Sequence, residues 1–269
     1  KGRGYPAGTI YGTNAASAGH AGGSYGGLGG ASGWSVNSVY GDFRSPNELG
    51  SGSGLRNYGG GYYGTPGGGL VRITAGALQL DGTITVDGTP ASWVWAAVGG
   101  GSGGGLCVNV GTLRGAGTMT SSGGQGDSGY VGGGGGGGRI AVCYGVLDGF
   151  DITNKISAVG GTGYSYGGAG TIYLKKSGEV GRVIIDSRNA SSAGTTPLWV
   201  PAGTNYFEEV VVKGLNQWVE LSSDTIIPTN MSIVGGAYLT HPAATTSQTS
   251  KVDLMVSGTL LVDSNSWIY

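Results

Sequence analysis

The residues able to do chemistry in this chain are few enough to weigh one at a time. His20 and His241 are its only candidate bases for a nucleophilic triad. His20 sits in a glycine tract, His241 precedes Pro242 at a strand end, and no serine elbow accompanies either. Both therefore read as structural or surface residues. Asp81, Asp87, Asp148 and Asp151 are the carboxylates that could pair across a glycosidic bond, or join calcium and a basic residue in polysaccharide elimination. Each lies beside glycine or between strand-like runs, where aspartate ordinarily shapes a turn. The seven-glycine run at 132–138 contains G-x-G-x-x-G trivially, lacks a βαβ context, and no Gly-Lys-Ser/Thr phosphate loop occurs.

Metal chemistry fares little better. "GGTGYSYGG" and "GGQGDSGYV" approach the calcium-binding nonapeptide of β-rolls, yet Ser165 replaces the aspartate in the first and Asp127 arrives one residue early in the second. An isolated calcium ion at acidic loops such as Asp42 and Glu48 stays open. Cys107 and Cys143, the only cysteines, suit either one disulfide in an oxidising compartment or two buried thiols. No Cys or His pair has zinc-ligand spacing. Trp34, Trp93, Trp95, Trp199, Trp218 and Trp267 could form sugar-stacking platforms or partner surfaces, with core packing an equal alternative. Asn189 and Asn230 head N-x-S sequons, a short and frequent match. The expectation is a protein with no catalytic residues, no cofactor-binding residues and no metal site beyond isolated calcium.

The elements that must position these residues are read from composition. The chain has 269 residues, 62 of them glycine, with 11% charged residues and a net charge of −1. Without a Gly-x-y period it is not collagen, and at 38% hydrophobic residues it is not disordered through charge. No basic cluster exceeds Lys175-Lys176, which argues against nucleic acid and anionic lipid as partners. No apolar run approaches the roughly 20 residues of a membrane span. The chain starts at Lys1 with neither Met nor a signal peptide, as a processed product or an excised fragment does.

Fifty-five of the glycines lie in residues 1–180, a glycine-rich region; 181–269 reads as conventional β-structure that continues it or forms a small β domain. "GGGLVRITAGALQLDGTITVDG" from 67, "GGGLCVNVGTLRGAGTMTSSGG" from 103 and "GGGRIAVCYGVLDGFDITNKISAVGG" from 136 share one plan, and "GGAGTIYLKKSG" from 167 is a truncated copy. Aligning Leu70, Leu106, Ile140 and Ile172 gives steps in the low-to-middle thirties, the spacing of stacked repeats. The predicted fold is all-β, with parallel β-solenoid or β-helix-like strands and little or no helix. Val71, Ile73, Leu78, Leu80, Ile84 and Val86 are candidate inward residues of one rung, and Cys107, Val110 and Leu113 of the next. The tracts 22–33, 50–69, 99–105, 123–138 and 160–170 are expected to pack as polyglycine-II-like extended segments, because each recurs at the same place in its repeat. Tyr25, Tyr62, Tyr63, Tyr130, Tyr164 and Tyr166 within them argue for packing rather than free loops.

"GGSYGGLGG", "YGDFRSPNELGSGSG" and "GGGGGGGRIAVCY", followed by "TIYLKKSGEVGRVIIDSRNA" and "DLMVSGTLLVDS", resemble the glycine-rich repeat regions of very large bacterial secreted or cell-surface, adhesin-like proteins. The resemblance covers nearly the whole chain. It implies a secreted, extracellular or cell-surface location and an adhesive or structural role, and it offers no catalytic residues to carry over. In such proteins a segment like "GTLLVDSNSWIY" runs into one like "KGRGYPAG", which implies tandem units or subunits joined end to end. Trp267, Ile268 and Tyr269, with Tyr5, are the candidate assembly residues, and the partner is a further copy in a homo-oligomer or polymer. A carbohydrate-binding or polysaccharide-degrading β-helix acting on a surface glycan, and a phage-like receptor-binding tip, are the alternatives.

Overall fold

The computed structural model describes residues 2–12, 14–92, 97–188, 194–200, 206–221, 225–246 and 250–269. Among these, all regular structure is strand. β1 (Arg56–Tyr58) and β2 (Gly61–Tyr63) form a separate antiparallel hairpin. Three rungs follow, each a ten-residue strand, a corner and a short strand: β3 (Leu70–Gln79) with β4 (Thr83–Thr85), β5 (Gly105–Arg114) with β6 (Thr118–Thr120), and β7 (Arg139–Asp148) with β8 (Ile156–Ser157). After β9 (Thr171–Lys176) come four more two-strand rungs. These are β10 (Arg182–Asp186) with β11 (Thr195–Leu198), β12 (Tyr206–Lys213) with β13 (Trp218–Leu221), β14 (Ile227–Val234) with β15 (Tyr238–Thr240), and β16 (Leu260–Val262) with β17 (Trp267–Ile268).

The rungs stack into open sheets: one of eight strands in the order β16-β14-β12-β10-β9-β7-β5-β3, one of four (β11-β13-β15-β17) and one of three (β4-β6-β8). They do not close into a solenoid. Every neighbouring pair in these sheets is parallel except β9–β10. The reversal there is made by a tight turn in which Glu179 N–H donates to Lys176 O at 3.1 Å and Gly178 takes φ +80°, a conformation that strains any side chain.

Period-two alternation then puts a core on each face of the large sheet. Val71, Leu106, Ile140, Ile172 and Ile184 share one register column and face the three-stranded sheet, with Met119 and Ile156 opposite. One residue further on, Ala141, Tyr173 and Val183 face the other way and join Val210, Met231, Val219 and Leu239 beneath the four-stranded sheet. Val71, not Leu70, therefore sits opposite Leu106, a one-residue correction to the repeat alignment that decides which face is buried. Cys107 is likewise corrected: it points away from Val110 and packs with the second core, because residues three apart in a regular strand face opposite sides. Alternation breaks at Gly76, Gly111 and Gly145, which stack on one another at a corner, so Leu78, Leu113 and Leu147 return to the same core as Ala75 and Val110.

The glycine tracts form a slab at the starts of the long strands, and its centre is the run 132–138, wholly buried. Its hydrogen bonds repeat every third residue. Gly133 and Gly136 donate to His20 and Gly23; Gly134 and Gly137 to Ser165 and Gly168; Gly135 and Gly138 to Gly124 and Ser121. Its carbonyls accept in the same rhythm: Gly133 and Gly136 from Gly100 and Gly103, Gly134 and Gly137 from Gly30 and Gly26, and Gly135 from Gly161. One extended segment is thus tied to six neighbours, which satisfies backbone groups that burial would otherwise strand. The approach needs glycine: a Cβ on any of residues 133–138 would fall closer than 3.0 Å to a neighbouring carbonyl oxygen or, at Gly138, a serine oxygen. Within 55–63 the expected tract is instead the β1–β2 hairpin, and of the tyrosines expected to pack, Tyr25 is buried while Tyr62, Tyr130 and Tyr164 are exposed.

Residues 40–49 cover the second face of β3, β5 and β7. Arg72 donates to Pro46 O at 2.7 Å, and the buried Arg139 donates to Tyr40 O at 2.8 Å and Thr171 Oγ1 at 3.1 Å. Burial works against the charge of Arg139, and Tyr25, Glu48, Asp42 and Tyr40 around it work in its favour. Asn37, buried, accepts from Ser24 N–H, Ser17 Oγ and Ser51 Oγ and pins the preceding loop to the slab.

Candidate functional site

The last rung is where strongly apolar side chains lack a cover. Met231 and Ile233 on β14 are fully buried, whereas Leu260 and Val262, which lie beneath them in register on β16, are 44% and 38% exposed. The same holds on the facing sheet: Leu239 is buried, and Ile268 below it on β17 is 39% exposed. Both strands are sheet edges. Their core columns stop with no further rung among the described residues.

On the outer face of the four-stranded sheet, register places Trp218, Tyr238 and Trp267 in one column. The rings stack almost parallel, with centroids 4.3 Å apart for Trp218–Tyr238 and 4.9 Å for Tyr238–Trp267. Tyr269, two residues beyond Trp267, lies parallel to Trp218 and Tyr238 at 5.8 and 6.0 Å. The corner leading into β17 is built from side-chain acceptors. Asp263 accepts from Gly235 N–H at 2.6 Å and Asn265 N–H at 3.1 Å, and Ser266 Oγ accepts from Gly236 and Ala237 N–H, each at 3.2 Å. The Gly235 amide above all holds the Asp263 carboxyl below the usual carboxylate range.

Trp267, Ile268 and Tyr269 thus converge on the last rung. Tyr5 does not: it lies in the glycine slab, donating its N–H to Gly50 O at 2.9 Å and accepting from Gly67 N–H at 3.0 Å. Tyr238, which no sequence motif singles out, completes the column. Its signal is positional, since "GLNQW", "GGAY" and "DSNSW" each set an aromatic just after a rung corner.

Cys107 and Cys143 are free, half-buried thiols on adjacent strands. Cys107 stands opposite Ala141 and Cys143 opposite Asn109, so the two are offset diagonally by two residues. With strands ~4.8 Å apart and ~3.3 Å per residue, their Cα atoms are separated by ~8 Å, beyond the ~7 Å that a disulfide spans. Burial and the neighbouring Cys107 push the Cys143 thiol up.

The remaining candidates serve the backbone. Asp81 accepts from Ala116 N–H and Asp87 from Ser122 N–H, each reaching the next rung, and Asp151 closes its own turn on Thr153 and Asn154. Asp148 ends β7. Asp42 caps Arg44 N–H, while Glu48 accepts from the Tyr25 hydroxyl and Asn47 N–H. Among the described residues no group of three or more His, Cys, Asp or Glu gathers to hold a metal. His20 stacks edge-on against Trp34 and meets Ala97 O at 3.0 Å; His241 meets Pro242 O at 2.8 Å. Trp199 is exposed, and Asn230 accepts from Thr259 N–H. Trp93, Trp95 and Asn189 lie outside the described residues. No helix among the described residues is long and apolar enough to cross a membrane.

No family model, no curated protein and no solved structure matches this chain.

Proposed function

We propose that the chain is a non-enzymatic extracellular structural protein, a β-helix-like stack beside a polyglycine-II layer, serving as a repeat unit or subunit of a surface fibre that grows end to end through its last rung. The observation that carries this reading is the uncovered end of the core: Leu260, Val262, Trp267 and Ile268 continue buried or stacked columns and are themselves 38–45% exposed. Natural edge strands are commonly blunted by lysine, proline or a bulge, and the three residues of β16 are Leu-Leu-Val. The opposite edge of the same sheet is β3, which runs antiparallel to β16 because the order contains one reversal. A second copy adding its β3 to β16 would make a pair of the β9–β10 kind.

The magnitude favours linked copies. Covering four side chains that are about two-fifths exposed returns ~1 kcal/mol each, so ~4 kcal/mol in all, which the lost translational and rotational freedom of two separate chains consumes. Covalent linkage supplies a millimolar effective concentration and makes the contact intramolecular. The test compares amide exchange of β16 in the single chain and in a tandem of two copies. Protection of Leu260–Val262 gained in the tandem, and lost again with Val262→Lys and Ile268→Lys in the first copy, supports the reading. Equal exchange of β16 in single chain and tandem overturns it.

A further inference from the structure

The slab has a free end, away from the sheets, where the glycine segments turn back on themselves. Five turns meet there and are hydrogen-bonded to one another. Ala18 bridges Leu55, and the His20 ring meets Ala97 O. Ala91 N–H donates to Gln125 O, Asp127 N–H to Val98 O, and Gly126 N–H to Thr162 O. Tyr164 N–H donates to Gly132 O at 2.9 Å. Residues 18–20, 55, 91, 97–98, 125–132 and 162–164 are thereby held together at one end of the slab.

That surface carries most of the glycine-rich region's exposed aromatic rings: Tyr62 is 69% exposed, Tyr164 64%, Trp34 50% and Tyr130 43%. Around them stand glycine, serine, asparagine and glutamine. Tyrosine and tryptophan offer large amphipathic contact at small entropic cost, and small polar residues offer adaptable hydrogen bonds, the make-up of a binding surface built on loops.

Backbone strain concentrates at the same end. Five non-glycine residues of the described chain have positive φ, and three of them are at this end: Ala97 (48°) and Val131 (65°) in these turns, and Ser32 (47°) in the adjoining turn at 31–34. Val131 is β-branched, and its left-handed backbone costs ~1–3 kcal/mol. Glycine, abundant on either side, would hold the turn without that cost. Left-handed non-glycine backbone gathered at one end of the molecule is consistent with a surface shaped for a ligand.

From this geometry we infer that the turn end of the glycine slab is a carbohydrate-binding surface, taking an uncharged polysaccharide chain. Two features choose this class. Arg56 and Asp127 are the only charged side chains on these turns, so the surface has no net charge and no cluster of cations for phosphate or sulfate. Between the turns at 91–92 and 125–129 lies a cleft of about 170 Å³ lined by Ser92, Gln125, Asp127 and Ser128, which matches a single sugar ring with several hydroxyls rather than a peptide's apolar anchor. The exposed rings on this turn and on the turns linked to it, Tyr130, Tyr164 and Tyr62, then stack on the pyranose faces of further units of the chain. The site shares no residue with the last rung, so it stands or falls separately from end-to-end assembly.

The experiment is affinity electrophoresis of the intact chain through gels containing dextran, mannan, galactan or soluble β-glucan, with Tyr62→Ala, Tyr164→Ala and Gln125→Ala beside it. All three side chains are exposed, and unchanged melting temperature verifies that each variant is folded. The expected result is retardation by at least one of these polymers, weakened about tenfold by each ring substitution and untouched by Trp267→Ala. Absence of retardation by all four overturns the inference. So does retardation that survives the tyrosine substitutions, or binding confined to protease-sensitive cell-surface material.

Discussion

Gly135→Ala tests the physical basis of the slab. Gly135 N–H donates to Gly124 O at 2.9 Å, and its carbonyl accepts from Gly161 N–H at 2.7 Å. An added Cβ would be driven into the carbonyl of Gly101, which itself accepts from Gly124 N–H at 2.7 Å. Relieving the clash means moving backbone against backbone, with no flexible side chain to yield. Three buried hydrogen bonds are stretched or lost at ~1 kcal/mol each, and overpacking adds ~1–3 kcal/mol. Alanine returns only ~0.4–1 kcal/mol by restricting the unfolded chain. The net is a destabilisation of ~3–5 kcal/mol, read as a fall of ~10 °C in melting temperature for a chain of this size. The control is Gly76→Ala, at an exposed strand position where an added Cβ meets nothing within 4 Å; it should be neutral or slightly stabilising. Denaturant and thermal unfolding of the two variants decide the matter. If Gly135→Ala unfolds within ~1 kcal/mol of Gly76→Ala, the glycines are mobile loops and the hydrogen-bonded slab is wrong.

Three further outcomes are expected. Arg139→Met should cost ~2–4 kcal/mol in chemical denaturation, because it leaves the Tyr40 carbonyl without its donor and loosens the 40–49 cover; a loss below ~0.5 kcal/mol would count against that clamp. Asp263 titrates below its unfolded value, so its stabilising effect is complete above the ordinary carboxylate range and fades as pH falls through its lower folded value. Fraying of β17, followed by Trp267 fluorescence, should therefore begin at acid pH, and in Asp263→Asn it should lose that pH dependence; identical acid profiles would refute the assignment. Finally, mild oxidant should leave both cysteines of the folded chain open to alkylation, and a Cys107–Cys143 bridge found by mass spectrometry would disprove the diagonal offset.

Much of this protein is determined by sequence alone, because its signals are short-ranged. Alternation in "LVRITAGALQ" or "FEEVVVKG" can satisfy only a strand, and recurring glycine-strand-corner units bring like elements into parallel neighbours whatever lies beyond. Glycine tracts that interrupt such units at a constant place must meet one another. What the sequence could not decide is which partner each tract takes, since glycine carries no side chain to encode a preference, and the sixfold surrounding of 132–138 is set by the positions of all the rungs together. The face on which each core forms depended on a single residue of register, so Cys107 turned to the second core and Val71 replaced Leu70 opposite Leu106. The short strands of the rungs before the reversal at Gly178 cover one face of the large sheet and those of the rungs after it cover the other. Trp218, Tyr238 and Trp267 lie 49 residues apart from first to last. Only the stacking of three separate rungs makes them one column, for the same reason that it leaves Leu260 and Val262 at its open end.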